Sequence, residues 1–234
     1  MEKEIKLTLP KNKYRNYLLI SSSATSDAII VSGSAPYTSD LKGEQPYSTA
    51  TIIDPNTLNI RSQIPLGPST EISKILPYNH QFYLLNAGNK YQIKGKSNDI
   101  IVLDSKKLNI TKRLTTAPLP IWGIIRGDIL YAYHNLDQRG LKVKDKRYIS
   151  RLNLTTGEKF IWSIPDGWNS DDLNIVHGKI ILTRWLGKTH DYLKWLVSGN
   201  PEDGIYEFDP NTKQLKQLLQ VADASKFIVP PVSQ

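Results

Sequence analysis

The sequence contains no cysteine, and its single methionine is Met1. The lack of cysteine excludes disulfide bonds and cysteine-ligated metal sites. No apolar run approaches the roughly 20 residues that a membrane helix needs, so we expect no membrane-spanning segment. The first residues, MEKEIKLTLP, show no apolar h-region, so no signal peptide is visible. The scarcity of oxidisable side chains favours an exported protein.

The composition is that of a globular protein. The chain has 234 residues, of which 39% are hydrophobic and 22% are charged, so it can bury a sizeable core as one all-β domain or two small domains. The formal net charge is +8, which favours acidic partners or surfaces without naming one.

A short turn motif recurs along the chain. Asp-Pro-Asn-Thr stands at residues 54–57 and again at residues 209–212, and related turns begin at Asp104 and Asn153. The four turns are therefore 50, 49 and 56 residues apart. Asp or Asn at the first position accepts hydrogen bonds from backbone N–H groups ahead of it. Each turn follows one strand-like run and precedes another, which predicts a hairpin.

Two further strand-like runs precede each hairpin, and four strands in a period of about 50 residues are typical of a β-propeller blade. We predict an all-β chain: a β-propeller of four-stranded antiparallel blades in a single domain, residues 1–234. A sandwich of many short strands is the alternative. The predicted segments are blades at residues 16–63, 70–114, 120–164 and 172–220, and terminal strands at residues 3–9 and 226–230.

One repeat resembles a known family. The segment IIDPNTLNIRSQIPLG, followed by ISKILPYNHQFYLLN, is similar to the YVTN-type β-propeller repeat. The matching positions are Asp54 and Thr57 in the turn, residues 64–67 for the I-P-L-G element, and residues 83–86 for the tetrapeptide. The resemblance covers roughly residues 16–222, with Lys107 replacing the threonine in the second repeat. It implies a propeller scaffold, often extracytoplasmic, with diverse binding roles.

The number of repeats leaves the extent of the propeller open. The chain is either a small propeller or a part of a larger one. Sheet edges left open at a break would invite pairing with another chain, which predicts self-association through open blade edges.

The two edges of the blades differ in loop length. With the strands of a blade named a to d, the a–b and c–d turns share one edge, and the b–c loops and d–a connections share the other. The first set is short, and we expect it to be structural. The b–c loops are long, at residues 33–47, 87–98, 135–146 and 185–203. Long loops on a rigid scaffold often carry binding, although tolerated insertion is the alternative.

Charge and aromatic residues favour binding at the edge of the blades that carries the long b–c loops. Loops 87–98 and 135–146 together carry a charge of +5. This predicts an anionic polymer or polysaccharide as ligand, or a protein partner, with nucleic acid not excluded; an ordinary solvated loop pair is the alternative. The predicted ligand-binding residues are Tyr91, Lys94, Lys96, Arg139, Lys142, Lys144, Trp168 and Trp195.

Most catalytic signatures are absent from the sequence. It has no G-x-S-x-G, no Gly-rich phosphate loop and no H-E-x-x-H, and His134 lacks an evident partner. We therefore predict a non-catalytic, extracytoplasmic binding module without a cofactor. The alternative is a metal-dependent hydrolase that holds Ca²⁺ or Mg²⁺ through oxygen ligands at Glu71, Asp172 and Asn16, where strands begin. Such polar residues are also ordinary strand caps.

Overall fold

The computed structural model describes residues 18–34, 47–68, 70–88, 99–135, 147–164, 173–184 and 203–220. Over these ranges the regular structure consists of sixteen β-strands in four antiparallel sheets of four. In each sheet every strand pairs with the next strand along the chain. The predicted four-stranded antiparallel blades of a β-propeller are therefore confirmed.

The strand bounds follow the repeat. The first blade has β1 (Leu18–Ala24), β2 (Ile29–Ser34), β3 (Tyr47–Ile53) and β4 (Ile60–Pro68). The second has β5 (Ile72–Tyr78), β6 (Gln81–Asn86), β7 (Asp99–Asp104) and β8 (Asn109–Thr115). The third has β9 (Pro120–Arg126), β10 (Ile129–Asn135), β11 (Arg147–Asn153) and β12 (Lys159–Ser163). The fourth has β13 (Leu173–Val176), β14 (Lys179–Arg184), β15 (Gly204–Asp209) and β16 (Gln214–Gln220).

The chain divides into two compact units, residues 1–121 and residues 122–234. The first unit contains the first two blades. The second unit contains the third blade from Trp122 onward and the fourth blade. The single domain over residues 1–234 stays a prediction, and the predicted terminal strands at residues 3–9 and 226–230 lie outside the described residues.

The four c–d hairpins share one turn geometry, which confirms the hairpins predicted from the motif. Asp54 Oδ1 accepts hydrogen bonds from the backbone N–H groups of Asn56 and Thr57, both at 2.9 Å. The fifth residue of each turn donates its N–H to the carbonyl of the first and adopts a left-handed backbone. These residues are Leu58, Leu108, Gly157 and Lys213, with φ of 58°, 56°, 77° and 57°.

The same hydrogen bonds lower the pKa of the aspartates in these turns. The strongest cause is a backbone N–H bond in each case, from Thr57 to Asp54 and from Lys107 to Asp104. Such bonds stabilise the ionised carboxylate. Asn153 accepts the equivalent bonds from the N–H groups of Thr155 and Thr156, at 2.9 Å, without titrating.

The core of the first unit lies between its two blades. Ile30 pairs with Ile52 across β2 and β3, and Phe82 pairs with Leu103 across β6 and β7. All four side chains are fully buried in one cluster. Burying each side chain contributes roughly 1.5–3 kcal/mol. Strands β6 and β7 are buried on both faces, which explains their continuous apolar sequences FYLL and IIVL.

Candidate functional site

The meander confirms that each blade has two different edges. The a–b and c–d turns lie at one edge of a sheet, and the ends of strands b and c, from which the b–c loops leave, lie at the other. We call the second edge the long-loop edge. Of the predicted site residues, Glu71 belongs to the described part of the chain. The others lie outside it: Tyr91, Lys94, Lys96, Arg139, Lys142, Lys144, Trp168, Trp195, Asp172 and Asn16.

The long-loop edge of the second blade carries a hydrogen-bond network at both ends of its loop. Asn86, the last residue of β6, donates from Nδ2 to Asp99 Oδ1 at 2.7 Å. Asp99, the first residue of β7, also accepts from Arg113 Nη1 at 2.5 Å. Arg113 Nη2 donates to the carbonyl of Leu66 in the first blade at 2.6 Å. Asn86 and Asp99 flank the basic loop at residues 87–98. They are therefore fixed to each other and, through Arg113, to the neighbouring blade.

Glu71 belongs to the same network through its backbone. Its N–H donates to Asn86 Oδ1 at 3.2 Å, and its carbonyl accepts from the N–H of Ala87 at 2.8 Å. Over the described ranges, no three His, Cys, Asp or Glu side chains are grouped as metal ligands. Because Asp172 and Asn16 lie outside those ranges, the Ca²⁺ or Mg²⁺ site stays a prediction.

In the second unit the long-loop edge is also polar and buried. His134 and Asn135 end β10, and Arg147 begins β11; all three are buried. His134 Nε2 lies 2.8 Å from Ser150 Oγ. The sequence showed no evident partner for His134, and the pairing of β10 with β11 brings Ser150 beside it. Both residues are enclosed, so the pair joins two strands rather than presenting a nucleophile to substrate.

A cleft of about 560 Å³ lies in the second unit, between the third and fourth blades and near their short turns. Its third-blade wall consists of Tyr131, Arg151, Phe160 and Trp162. Its fourth-blade wall comes from the start of β14, from the end of β15 and from the turn at residues 209–211. The second Asp-Pro-Asn-Thr motif therefore borders this cleft, at an edge that we expected to be structural.

Strand register places the third-blade wall on one face. Tyr131 is the direct partner of Arg151, and Arg151 is the direct partner of Phe160. Phe160 and Trp162 are two residues apart on one strand and so share a face. Their rings are stacked with centroids 6.1 Å apart and planes within 6°. The Arg151 guanidinium lies over the Phe160 ring, 5.7 Å from its centroid.

Most of the corresponding face of the first blade is aliphatic. When the turns at Asp54 and Asn153 are aligned, Ile30, Ile52 and Ile64 correspond in register to Tyr131, Arg151 and Trp162. Ser62 corresponds to Phe160. Ile30 and Ile52 are fully buried, and Ile64 packs against the same core. Tyr131, Arg151 and Trp162 thus line a cleft at positions where the first unit has a packed core.

The charges around the cleft balance. Lys179 Nζ donates to Glu207 Oε2 at 2.9 Å, and Arg151 Nη1 lies 3.5 Å from Glu158 Oε2 at the exposed surface. The backbone N–H of Asn211 lowers the pKa of Asp209, which stays ionised at neutral pH. Among the lining residues, two cationic side chains oppose two carboxylates, so the lining has no net charge.

Comparisons with known proteins support the fold and no finer assignment. The sequence matches no protein-family model and no curated protein. Among solved structures, hydrazine synthase of Kuenenia stuttgartiensis is similar at 14% identity and a TM-score of 0.52, over 92% of this chain and 69% of that one. Saccharomyces cerevisiae Sqt1 matches at 11% identity and a TM-score of 0.45, over 66% of this chain and 38% of that one. At 14% identity the likeness to hydrazine synthase shows the β-propeller fold alone.

Sequence reasoning missed the cleft, although one signal for it was present. In EKFIWSI, Phe160 and Trp162 stand two residues apart in a predicted outer strand, where polar side chains are usual. Two aromatic rings on one face of such a strand indicate a surface with a partner or a cavity. That Tyr131 and Arg151 line the same cleft could be recognised only from the register of the strands.

Proposed function

We propose that this chain is a non-catalytic β-propeller binding module that holds an anionic polymer on its long-loop edge. The observation that carries the proposal is the network of Asn86, Asp99 and Arg113, with bonds of 2.5–2.7 Å. It fixes Asn86 and Asp99, the two residues that flank the loop at residues 87–98. Groups that are already fixed need no ordering on binding, which favours affinity.

The charge of the loops supports this ligand class. Residues 87–98 and 135–146 supply +5 of the +8 net charge. Lysine and arginine gain binding energy from a polyanion by neutralising its charges and releasing its counterions. The proposed contacts are Lys94, Lys96, Arg139, Lys142 and Lys144 for charge, and Tyr91, Trp168 and Trp195 for stacking.

The finer classification is also a proposal. The Asp54–Thr57 turn and the Tyr83–Asn86 tetrapeptide support a YVTN-type repeat, and that resemblance supports an extracytoplasmic location. Within the described residues, no helix is long and apolar enough to cross a membrane.

The test is binding of an acidic polysaccharide, a single-stranded nucleic acid and a polyphosphate at several salt concentrations. The first variant combines Lys94→Glu, Lys96→Glu, Arg139→Glu and Lys142→Glu. The matched control reverses four exposed lysines of the short turns and last strands: Lys106, Lys112, Lys213 and Lys216.

We expect the wild type and the control to bind with a steep salt dependence, and the loop variant to lose it. Each lost contact with a phosphate should reduce the slope of log K against log salt by roughly 0.7–0.9. Equal loss in both variants would show that only net charge matters. An absence of binding at low salt would overturn the proposal and turn attention to a protein partner.

A further inference from the structure

The cleft between the third and fourth blades is of the size of a small-molecule site. Its volume of about 560 Å³ falls within the roughly 300–1,000 Å³ of ordinary ligand pockets. At the equivalent positions of the first unit, Ile30 and Ile52 are packed without exposure. Blade packing alone therefore does not require the residues found here, because the first blade has isoleucine where the third has Tyr131 and Arg151, and Ser62 where the third has Phe160.

The third-blade wall exposes aromatic surface. Phe160 is 44% exposed, and its ring is parallel to that of Trp162. Parallel rings on the wall of a cleft offer apolar surface and a directional π system to a ligand with a flat apolar face. Trp162 is half-buried, and the Arg151 guanidinium lies over the Phe160 ring. The aromatic surface that stays in contact with water has a cost that a bound ligand would remove.

The charged side chains that line the cleft restrict the class of ligand that can bind there. Arg151 and Lys179 are hydrogen-bond donors only, whereas the carboxylate of Glu207 is an acceptor only. A polyanion would face Glu207 and Asp209, and a cation would face Arg151 and Lys179. Lys179 and Glu207 already bond each other, but an ammonium has three donors and a carboxylate has two acceptor oxygens. A purely apolar ligand would therefore desolvate the remaining donors and acceptors, which is costly. A neutral ligand whose hydroxyls both donate and accept satisfies both kinds of group.

We propose that this cleft binds a neutral saccharide, with its C–H groups packed against the exposed aromatic surface of Phe160 and Trp162 and its hydroxyls bonded to Arg151, Lys179 and Glu207. A pyranose ring combines an apolar face with a rim of hydroxyls, and this combination matches the two kinds of lining residue. The site is separate from the long-loop edge and does not depend on the basic loops.

The experiment titrates the intact protein with soluble neutral oligosaccharides of glucose, mannose, galactose, xylose and N-acetylglucosamine. Binding is followed by tryptophan fluorescence, since Trp162 lines the cleft, and by calorimetry. The variants are Phe160→Ala, Trp162→Phe and Arg151→Ala. The matched control is Ile161→Ala, because Ile161 is adjacent on the same strand and is equally exposed at 44%. Urea unfolding of each variant checks that it is folded.

We expect at least one oligosaccharide to bind with a Kd of about 1 mM or tighter. Phe160→Ala and Arg151→Ala should weaken it about tenfold, Trp162→Phe should weaken it less, and Ile161→Ala should leave it unchanged. The loop charge-reversal variant should still bind the sugar, and Phe160→Ala should still bind the polyanion, so the two proposals fail separately. Equal binding by Phe160→Ala and wild type, or no binding by any sugar in the panel, would overturn the saccharide site.

Discussion

A left-handed residue closes each c–d turn, and its identity differs between the two turns of the second unit. It is Gly157 in one turn, with φ of 77°, and Lys213 in the other, with φ of 57°. A Cβ atom in this region costs about 1–2 kcal/mol, offset by the roughly 0.5–1 kcal/mol of extra chain entropy that glycine loses on folding. A Cβ at Gly157 meets nothing within 4 Å. Gly157→Ala should therefore destabilise, and Lys213→Gly should stabilise, each by about 1 kcal/mol.

Urea unfolding followed by tryptophan fluorescence reports the stability of the second unit, which contains Gly157 and Lys213, since all five tryptophans lie in residues 122–234. With a slope of about 1–3 kcal/mol per molar urea, the midpoints should move by about 0.3–1 M in opposite directions. The control is Lys216→Gly, which makes the same replacement at an exposed position inside strand β16. There glycine should destabilise by roughly 0.5–1 kcal/mol.

The sign of the change is the decisive result. If Lys213→Gly and Lys216→Gly lower the midpoint equally, the left-handed backbone carries no strain and the reasoning is wrong. An unchanged midpoint in Gly157→Ala would contradict it as well.

Three further predictions concern other parts of the fold. Gly204→Ala should destabilise the second unit by about 3 kcal/mol, because the new Cβ would lie 2.2 Å from the backbone oxygen of Leu219. Gly178→Ala is the comparison in the same fluorescence assay: its Cβ meets nothing within 4 Å but its φ is 77°, so it should cost only about 1 kcal/mol. Phe82→Ala should cost the first unit roughly 3–5 kcal/mol by circular dichroism, and a smaller loss would show that its core relaxes. Asp104 has a lowered pKa, so its contribution to stability is present above about pH 4 and lost as the pH falls through the folded pKa. Asp104→Asn should therefore reduce the fall in urea midpoint between about pH 6 and pH 3, and an unchanged fall would refute this.

Much of the fold could be predicted because local chemistry decides it. Asp or Asn at the first position of each turn bonds to the next backbone N–H groups whatever surrounds it, as Asp54 and Asn153 both do. The continuous apolar runs of β6 and β7 likewise follow from burial on two faces. The left-handed backbone of Leu58 and Lys213 was not predictable, because neither residue type favours it and the turn geometry imposes it.

The cleft and the polar network depend on contacts between strands that are distant in sequence. Arg113 joins Asp99 to the carbonyl of Leu66, and no local pattern links these three positions. Tyr131, Arg151 and Phe160 form one wall only because of the register of β10, β11 and β12. A shift of one residue in that register would turn these side chains to the opposite face.

Hydrogen–deuterium exchange with and without a saturating polyphosphate tests most directly which edge binds the polyanion. We expect slower exchange at Ala87 and Gly88, which begin one basic loop, and at Ile100 and Tyr148, which lie in the strands that follow the two loops. We expect unchanged exchange in the short turns, at Asn56, Lys106 and Asn211. Protection confined to the turns, with none beside the loops, would contradict the assignment of binding to the long-loop edge.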